Sequence, residues 1–156
     1  GDGIFDAIRW ADNNGALAIG SDSNIRISLS EELRTLDYSQ RLRDGTRAAL
    51  ASPEKSTARR LFDDVLKGGA QASGRRTGRI EAGYWADILS LDAKSEHLWG
   101  REGDTALDAW VFAGDDRLVT DVWSAGRHMV QAGAHVRRDE IVKAYKQTVD
   151  ALKDAL

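Results

Sequence analysis

The spacing of apolar residues changes once along this chain of 156 residues, near residues 73–77, and this change constrains the fold more than any other feature. Before it, apolar side chains recur every three or four residues, which is typical of helices that pack on one face. After it, short apolar segments are separated by glycines, which is typical of strands. We therefore expect a helical first region with one short strand, then a β-rich region.

Three helices are predicted in the first region. The first runs from about Ile4 to Asn14, and the second begins at Ser30, whose hydroxyl caps it, with acidic residues in its first turn. Ser52-Pro53 is expected to end the second helix, and a third starts at about Ser56. Gly68-Gly69 lies late in this third helix, where it either ends the helix or permits the close approach of another backbone.

The β-rich region is followed by one more helix. Strands are expected over five segments: Arg79 to Ile80, Asp87 to Leu91, Ala109 to Ala113, Leu118 to Ser124 and His128 to Gln131. From Asp139 the helical spacing returns, and the apolar residues on one side of this terminal helix should dock on the rest of the chain: Ile141, Ala144, Tyr145, Thr148 and Leu152.

Composition excludes several classes of function. The net charge is -3, and 22 basic residues are scattered among 25 acidic ones, so no basic face is available for nucleic acid. The absence of cysteine excludes disulfides and Cys-ligated zinc, and it is compatible with the cytoplasm, where we expect the protein. No apolar run approaches the roughly 20 residues that span a bilayer, so no membrane partner is expected.

Histidine is scarce and poorly placed for an independent metal site. His97, His128 and His135 all lie in the β-rich region, without the H-x-H or H-E-x-x-H spacing that brings two imidazoles to one metal. We interpret them as surface histidines and assign them no role.

The end of the predicted strand carries the one candidate site. Ala16 to Ile19 is apolar at consecutive positions, as in a parallel strand buried on both faces, and Gly20-Ser21-Asp22-Ser23 follows it. A carboxylate just beyond such a strand lies at the mouth of an α/β barrel, where barrels perform catalysis. A turn or helix cap explains the same local pattern, so the pattern alone leaves both interpretations open.

Three segments resemble the amidohydrolase superfamily. They are Gly20-Ser21-Asp22-Ser23-Asn24 with the residues up to Arg34, Thr77-Gly78-Arg79-Ile80-Glu81-Ala82-Gly83-Tyr84-Trp85-Ala86-Asp87-Ile88, and Val122-Trp123-Ser124-Ala125-Gly126-Arg127. Three others resemble the formimidoylglutamate deiminase branch: Gly1-Asp2-Gly3-Ile4-Phe5, Tyr38-Ser39-Gln40-Arg41-Leu42-Arg43 and Asp108-Ala109-Trp110-Val111-Phe112-Ala113-Gly114. The likeness extends along essentially the whole chain.

The resemblance implies a fold of α/β plus β class, the C-terminal fragment of a metal-dependent hydrolase (β/α)8 TIM barrel with part of a small β-sandwich. Residues 1–74 would be the last βα units, residues 75–138 the sandwich part, and residues 139–156 the terminal amphipathic helix. Because the barrel has eight strands and only one is recognisable here, we expect a fragment that associates with its missing N-terminal part or with copies of itself.

The resemblance also implies the chemistry. A water bound to Zn2+ would attack the formimino carbon of N-formimino-L-glutamate, releasing ammonia and N-formyl-L-glutamate in histidine degradation. Asp22 matches the metal-site aspartate of the family and would also transfer the proton, whereas Ser23, Asn24 and Arg26 are candidates for substrate binding. The other metal ligands lie outside this sequence, so the chain alone should be inactive. The alternatives are a purine-type deaminase or chlorohydrolase, and a non-catalytic fragment that acts as an interaction module.

Overall fold

The computed structural model describes residues 2–153, which form five helices and one four-stranded sheet. Gly1 of the resemblance above and residues 154–156 of the predicted terminal helix lie outside the described residues. The helices are α1 (Ala7–Asp12), α2 (Leu29–Asp44), α3 (Thr57–Ser73), α4 (Gly103–Phe112) and α5 (Arg138–Lys153). The strands are β1 (Ile88–Leu91), β2 (Val119–Ser124), β3 (Arg127–Gln131) and β4 (Ala134–His135), and a 3-10 turn, Asp116–Leu118, precedes β2.

The core lies between helices α2, α3 and α4. Leu33 of α2, Leu61 of α3 and Trp110 of α4 are each at most 1% exposed, so the predicted apolar faces of α2 and α3 are confirmed. The ring of Phe62 meets that of Trp110 edge to face, with 5.8 Å between centroids. Burial of these large side chains is the main source of stability for the helical layer.

Helix α2 begins one residue earlier than predicted, at Leu29, and ends well before the predicted Ser52-Pro53. The Ser28 hydroxyl, not that of Ser30, accepts the backbone N–H of Glu31 and caps the helix. The helix ends at Gly45, which has the left-handed φ of 64° that glycine adopts without strain, and not at Ser52-Pro53. The third helix, in contrast, begins where predicted, with Ser56 as its cap.

The segment Ala109 to Ala113, predicted as a strand, forms most of the last turns of α4. Three consecutive residues, Ala109, Trp110 and Val111, are buried because α4 packs against both α2 and α3. An apolar run this short does not distinguish a strand from a helix buried on several sides. At the start of α4, Glu102 and Thr105 form a capping box, in which the Thr105 hydroxyl accepts the backbone N–H of Glu102 over 3.2 Å.

Polar contacts join α4 and the following turn to the starts of the other helices. Asp108 accepts the backbone N–H of Ala58 over 3.0 Å, and Asp116 accepts that of Ser30 over 3.2 Å. In the opposite direction, Arg34 of α2 donates to the carbonyl oxygens of Val111 and Gly114, both at 2.6 Å. These bonds satisfy backbone groups that helix ends leave unpaired, and they fix the relative positions of the helices.

The sheet is antiparallel throughout, with the strand order β1-β2-β3-β4. Three of the predicted strands are confirmed as β1, β2 and β3, and the short β4 was not predicted. The predicted strand Arg79 to Ile80 is wrong, since these residues lie in an irregular loop and Ile80 is 88% exposed. A strand needs a neighbour for its backbone hydrogen bonds, and none of the described residues offers one here.

Asp87 connects two of the family-like segments. Its carboxylate accepts the Thr77 hydroxyl over 2.8 Å and the backbone N–H of Ala125 over 2.7 Å. These hydrogen bonds, led by that of Ala125, hold the pKa of the Asp87 carboxyl below its usual range. Asp87 therefore ties the loop before β1 to the turn between β2 and β3, which is a structural role.

Helix α5 does not dock as predicted. None of its described residues is buried, and the apolar side chains of Ile141, Tyr145 and Leu152 are all more than half exposed. The helical spacing was predicted correctly, but amphipathic spacing does not specify which surface covers the apolar face. Among residues 2–153, no helix combines the length and apolar character that crossing a membrane requires.

Candidate functional site

The segment before Asp22 has the side-chain alternation of a strand without a strand partner. Leu17 is buried and Ile19 half-buried, whereas Ala16 and Ala18 are exposed. The prediction of a parallel strand buried on both faces is therefore wrong for the described residues: one face packs on the helices, and the other is open. No backbone ladder forms because no described strand lies beside this segment.

Two contacts hold this segment in place. The indole Nε1–H of Trp10 donates to the carbonyl oxygen of Ala16 over 2.9 Å, with its ring against Gly15. On α3, Gly68 lies so close to Leu17 that a Cβ there would overlap the Leu17 carbonyl group. Of the two interpretations of Gly68-Gly69, close approach of another backbone is thus correct for Gly68, while α3 continues to Ser73.

Asp22 lies in the tight turn that follows. The turn is closed by the backbone N–H of Asn24, which donates to the carbonyl oxygen of Ser21 over 2.8 Å. Asp22 has a φ of 45°, in the left-handed region that few residues other than glycine, asparagine and aspartate adopt. Its side chain is exposed, and within residues 2–153 its carboxylate takes part in no hydrogen bond or ion pair. The carboxylate is thus presented outward, with its oxygens available to an incoming group.

The predicted substrate-binding residues lie on the same loop but are turned to local partners. Asn24 donates its side-chain amide to Glu32 over 3.4 Å, and the Arg26 guanidinium pairs with Glu31 at 2.7 Å. Ser23 is exposed beside Asp22 in the turn. The structure therefore brings Asp22 and Ser23 together, whereas Asn24 and Arg26 contact the first turn of α2. Their roles toward a substrate stay predictions.

The surroundings of Asp22 include uncovered apolar surface that sequence analysis did not single out. Ile25 is 101% exposed and Ile27 82% exposed. Ala16 and Ala18, before the turn, are exposed as well. The alternation of Ile25 and Ile27 with polar residues is the only sequence signal for it, and that pattern does not distinguish a solvent-facing loop from one covered by another part of a protein.

The three histidines are not near Asp22 in the chain and have separate local contacts. His128 stacks on Trp123 with 4.5 Å between ring centroids and is hydrogen-bonded to Asp121 over 2.8 Å. His135 accepts the backbone N–H of Arg137 through Nδ1, and His97 lies 3.9 Å from Glu96. The bond with His128 contributes most to holding the pKa of the Asp121 carboxyl below its usual value.

The positions of Asp22 and the three histidines determine whether this chain by itself could bind a zinc ion. Zinc sites use three or four protein ligands, chiefly His, Cys and carboxylate. Among residues 2–153, His, Asp and Glu nowhere form a group of three or more that could hold a metal. The described residues alone therefore do not fit zinc, and Asp22 offers a single carboxylate ligand.

Sequence comparison gives clear relatives. The chain is 44% identical over 155 residues to formimidoylglutamate deiminase of Pseudomonas aeruginosa, an alignment that covers 99% of this chain and 34% of that protein. It is 26% identical over 152 residues to 5'-deoxyadenosine deaminase of Methanococcus maripaludis, covering 96% of this chain and 34% of the relative. The chain thus spans about a third of the length of these curated relatives. No protein-family model matches it.

Solved structures agree. The crystal structure of an amidohydrolase from Brucella melitensis superposes with a TM-score of 0.87 at 42% identity, covering 97% of this chain and 33% of that one. A zinc-bound adenosine deaminase from Xanthomonas campestris superposes with a TM-score of 0.77 over 95% of this chain and 34% of its own, and at 24% identity it supports the fold alone. The predicted resemblance is therefore confirmed: the chain has the fold of a C-terminal segment of an amidohydrolase and is similar over its whole length to formimidoylglutamate deiminase.

Proposed function

We propose that this chain is the part of a zinc-dependent formimidoylglutamate deiminase that supplies Asp22 to the active site. The whole enzyme, which we call the parent, would hydrolyse N-formimino-L-glutamate to N-formyl-L-glutamate and ammonia in histidine degradation. The observation that carries this proposal is the 44% identity with formimidoylglutamate deiminase over 155 residues, a stretch that includes the turn of Asp22.

The geometry of Asp22 supports a role in proton transfer. Its carboxylate is exposed and has no described partner, so both oxygens are available as proton acceptors. A zinc ion in the parent would supply a bound water of lowered pKa, and Asp22 would be one ligand among others contributed by residues outside this chain. Asp22 itself would accept the proton of the attacking water and pass a proton to the departing nitrogen.

The finer division of the fold belongs to the same proposal. Residues 1–74 would be the last βα units of a barrel, residues 75–138 part of a β-sandwich, and residues 139–156 the terminal helix. The support is the open face of the segment at Ala16 and Ala18, which lacks a strand neighbour among the described residues, and the exposed Ile80, where the sandwich would continue. The open edges of a barrel strand and of a sheet are covered in stable proteins.

Because most ligands would lie elsewhere in the parent, we propose that this chain alone is inactive. The uncovered side chains next to Asp22 favour association with the missing N-terminal part, and a homo-oligomer of the parent is also proposed. We propose that the parent binds a small-molecule substrate, binds neither nucleic acid nor a membrane, and is located in the cytoplasm.

The chief alternative is a deaminase of a purine-type substrate or a chlorohydrolase. Its support is the similarity to 5'-deoxyadenosine deaminase at 26% identity, well below the 44% found for the deiminase. A second alternative is a non-catalytic interaction module, which would use the same uncovered apolar surface around Asp22 without chemistry.

The experiment uses the purified parent. We expect about one zinc per chain, ammonia release from N-formimino-L-glutamate that exceeds release from guanine, adenosine and 5'-deoxyadenosine, and loss of activity on zinc removal by a chelator. Asp22→Asn should lower kcat by about 100-fold or more, because the amide cannot accept the proton.

The matched control is Asp139→Asn, an exposed acidic residue at the start of α5, which should retain activity. Faster ammonia release from a purine would establish the first alternative. Absence of both zinc and ammonia release with every substrate would leave the interaction module.

A further inference from the structure

We propose that Gly68 is a positioning residue for Asp22. Its missing side chain lets α3 lie directly on the backbone of Leu17, and this contact sets where the segment of residues 16–20 presents the Asp22 carboxylate that follows it. The inference rests on the proposed function of Asp22, but the contact itself can be tested without it.

The contact between Gly68 and Leu17 is a backbone contact. A Cβ on Gly68 would overlap the carbonyl group of Leu17 and lie 2.9 Å from its backbone nitrogen. Backbone atoms cannot rotate away as the end of a long side chain can, so any residue other than glycine forces α3 and the segment apart. The adjacent Gly69 is the natural reference, since a Cβ there meets nothing within 4 Å.

Besides the contact with Gly68, the segment is held by the packing of Leu17 and Ile19 on the core and by one hydrogen bond. The described residues provide no strand ladder beside it, and the neighbouring peptide group is fixed by the indole of Trp10, which donates to the Ala16 carbonyl oxygen over 2.9 Å. Trp10 in turn requires Gly15, because a Cβ at that position would overlap the indole ring. Two consecutive residues, Ala16 and Leu17, are therefore held by two different elements, α1 and α3.

A displacement at Leu17 is transmitted along a short connection. Asp22 follows five positions later, through Ile19, which packs on the helical core, and through the closed turn of Ser21 to Asn24. Chemistry at a catalytic group is sensitive to position, since a misplacement of about 1 Å can cost about 100-fold in rate. A methyl group at Gly68 would enforce a shift of this order.

The first experiment compares Gly68→Ala with Gly69→Ala in the parent. We expect Gly68→Ala to lower kcat for formiminoglutamate by about 10- to 100-fold with KM changed by less than about 2-fold, while Gly69→Ala retains kcat. Val65→Ala, on the buried face of the same helix, controls for stability: it should lower Tm by at least as much as Gly68→Ala and keep kcat. Equal kcat in Gly68→Ala and Val65→Ala would overturn the proposal.

The second experiment needs no activity. In the 156-residue chain, the indole N–H signal of Trp10, assigned through Trp10→Phe, reports the bond to Ala16. We expect Gly68→Ala to shift this NMR signal and accelerate its hydrogen exchange, and Gly69→Ala to leave it unchanged. An unchanged signal in Gly68→Ala would overturn the contact, whereas a shifted signal together with an inactive wild-type parent would overturn the proposed function alone.

Discussion

The helical core and the loop of residues 20–27 differ in which residues form hydrogen bonds and ion pairs with their polar groups. In the core, backbone groups at helix ends are satisfied by residues far away in the chain, such as Asp116 for Ser30 and Arg34 for Val111. In the loop, the side-chain hydrogen bonds and ion pairs found among residues 2–153 reach only the first turn of α2, as for Asn24 with Glu32 and Arg26 with Glu31. The core is therefore held by tertiary contacts, and the loop by local ones.

The same two regions differ in the exposure of their apolar side chains. Trp110 is 0% exposed in the core, whereas Ile25 is 101% exposed in the loop, two residues after Ser23. A free-standing domain gains nothing from an isoleucine in full contact with water. The difference is consistent with our proposal that residues outside this chain cover the loop around Asp22.

The largest effect that tests this comparison is expected at Trp110. Trp110→Ala should lower the free energy of unfolding by about 3–5 kcal/mol, because it leaves a large cavity against Phe62. Trp99→Ala, at a tryptophan that is 71% exposed, should change it by less than about 0.5 kcal/mol. Urea unfolding of both variants measures the difference, and equal losses would contradict the assignment of the core to these helices.

A smaller loss of unfolding free energy is expected when a long-range hydrogen bond of the core is removed. Asp108→Ala should cost about 1–3 kcal/mol, because the buried backbone N–H of Ala58 loses its acceptor. Asp150→Ala is the control, since Asp150 is exposed and, among the residues that the structure describes, pairs only with Lys153 at 3.7 Å. Urea unfolding again serves as the measurement. If Asp108→Ala unfolds like the control, the long-range bond does not distinguish the core from the loop.

In the loop, the substitution Asp22→Gly should stabilise the folded state. Asp22→Gly removes the cost of a left-handed φ of 45° in a residue with a Cβ, so we expect a gain of up to about 1 kcal/mol. Ser23→Gly, at a neighbouring position without positive φ, should bring a small loss through the greater freedom of the unfolded chain. Thermal unfolding of the two variants tests this. Destabilisation by Asp22→Gly would show that Asp22 has a structural role in the turn.

The smallest effect concerns pH. Burial raises the pKa of the Asp37 carboxyl above 3.8, although the N–H of Leu50 and the charge of Arg41 oppose the change. The folded state then binds a proton more tightly than the unfolded state, so stability falls as the pH rises from about 4 through the raised pKa. Asp37→Asn should lack this contribution, and wild type should lose stability relative to it over that window. Urea unfolding across this range would contradict the prediction if wild type gained instead.

Sequence analysis predicted the elements whose information is local. The packing faces of α2 and α3 follow from the spacing of residues such as Leu33 and Leu61, and the start of α3 follows from Ser56. Sequence analysis failed where contacts with distant parts of the chain determine the local structure. Ala109 to Phe112, predicted as part of a strand, lies in helix α4, which packs against both α2 and α3. Ser28 caps α2, and the backbone N–H of Ser30 donates to Asp116.

The candidate site also combines features that are visible in the sequence with features that only the structure shows. The position of Asp22 after an apolar segment, and the family-like segments around it, are visible in the residue order. The contact of Gly68 with Leu17 and the bond from Trp10 to Ala16 are not, because spacing along the chain does not reveal which backbones approach each other in space.

By itself, then, the sequence determined the helix periods, the resemblance to amidohydrolases and the carboxylate to examine. Only the tertiary structure decided that α4 is a helix, that Asp87 joins two loops, and that one face of residues 16–20 is open. The physical reason is that propensity and period act over a few neighbouring residues, whereas burial and backbone pairing depend on elements far apart in the chain.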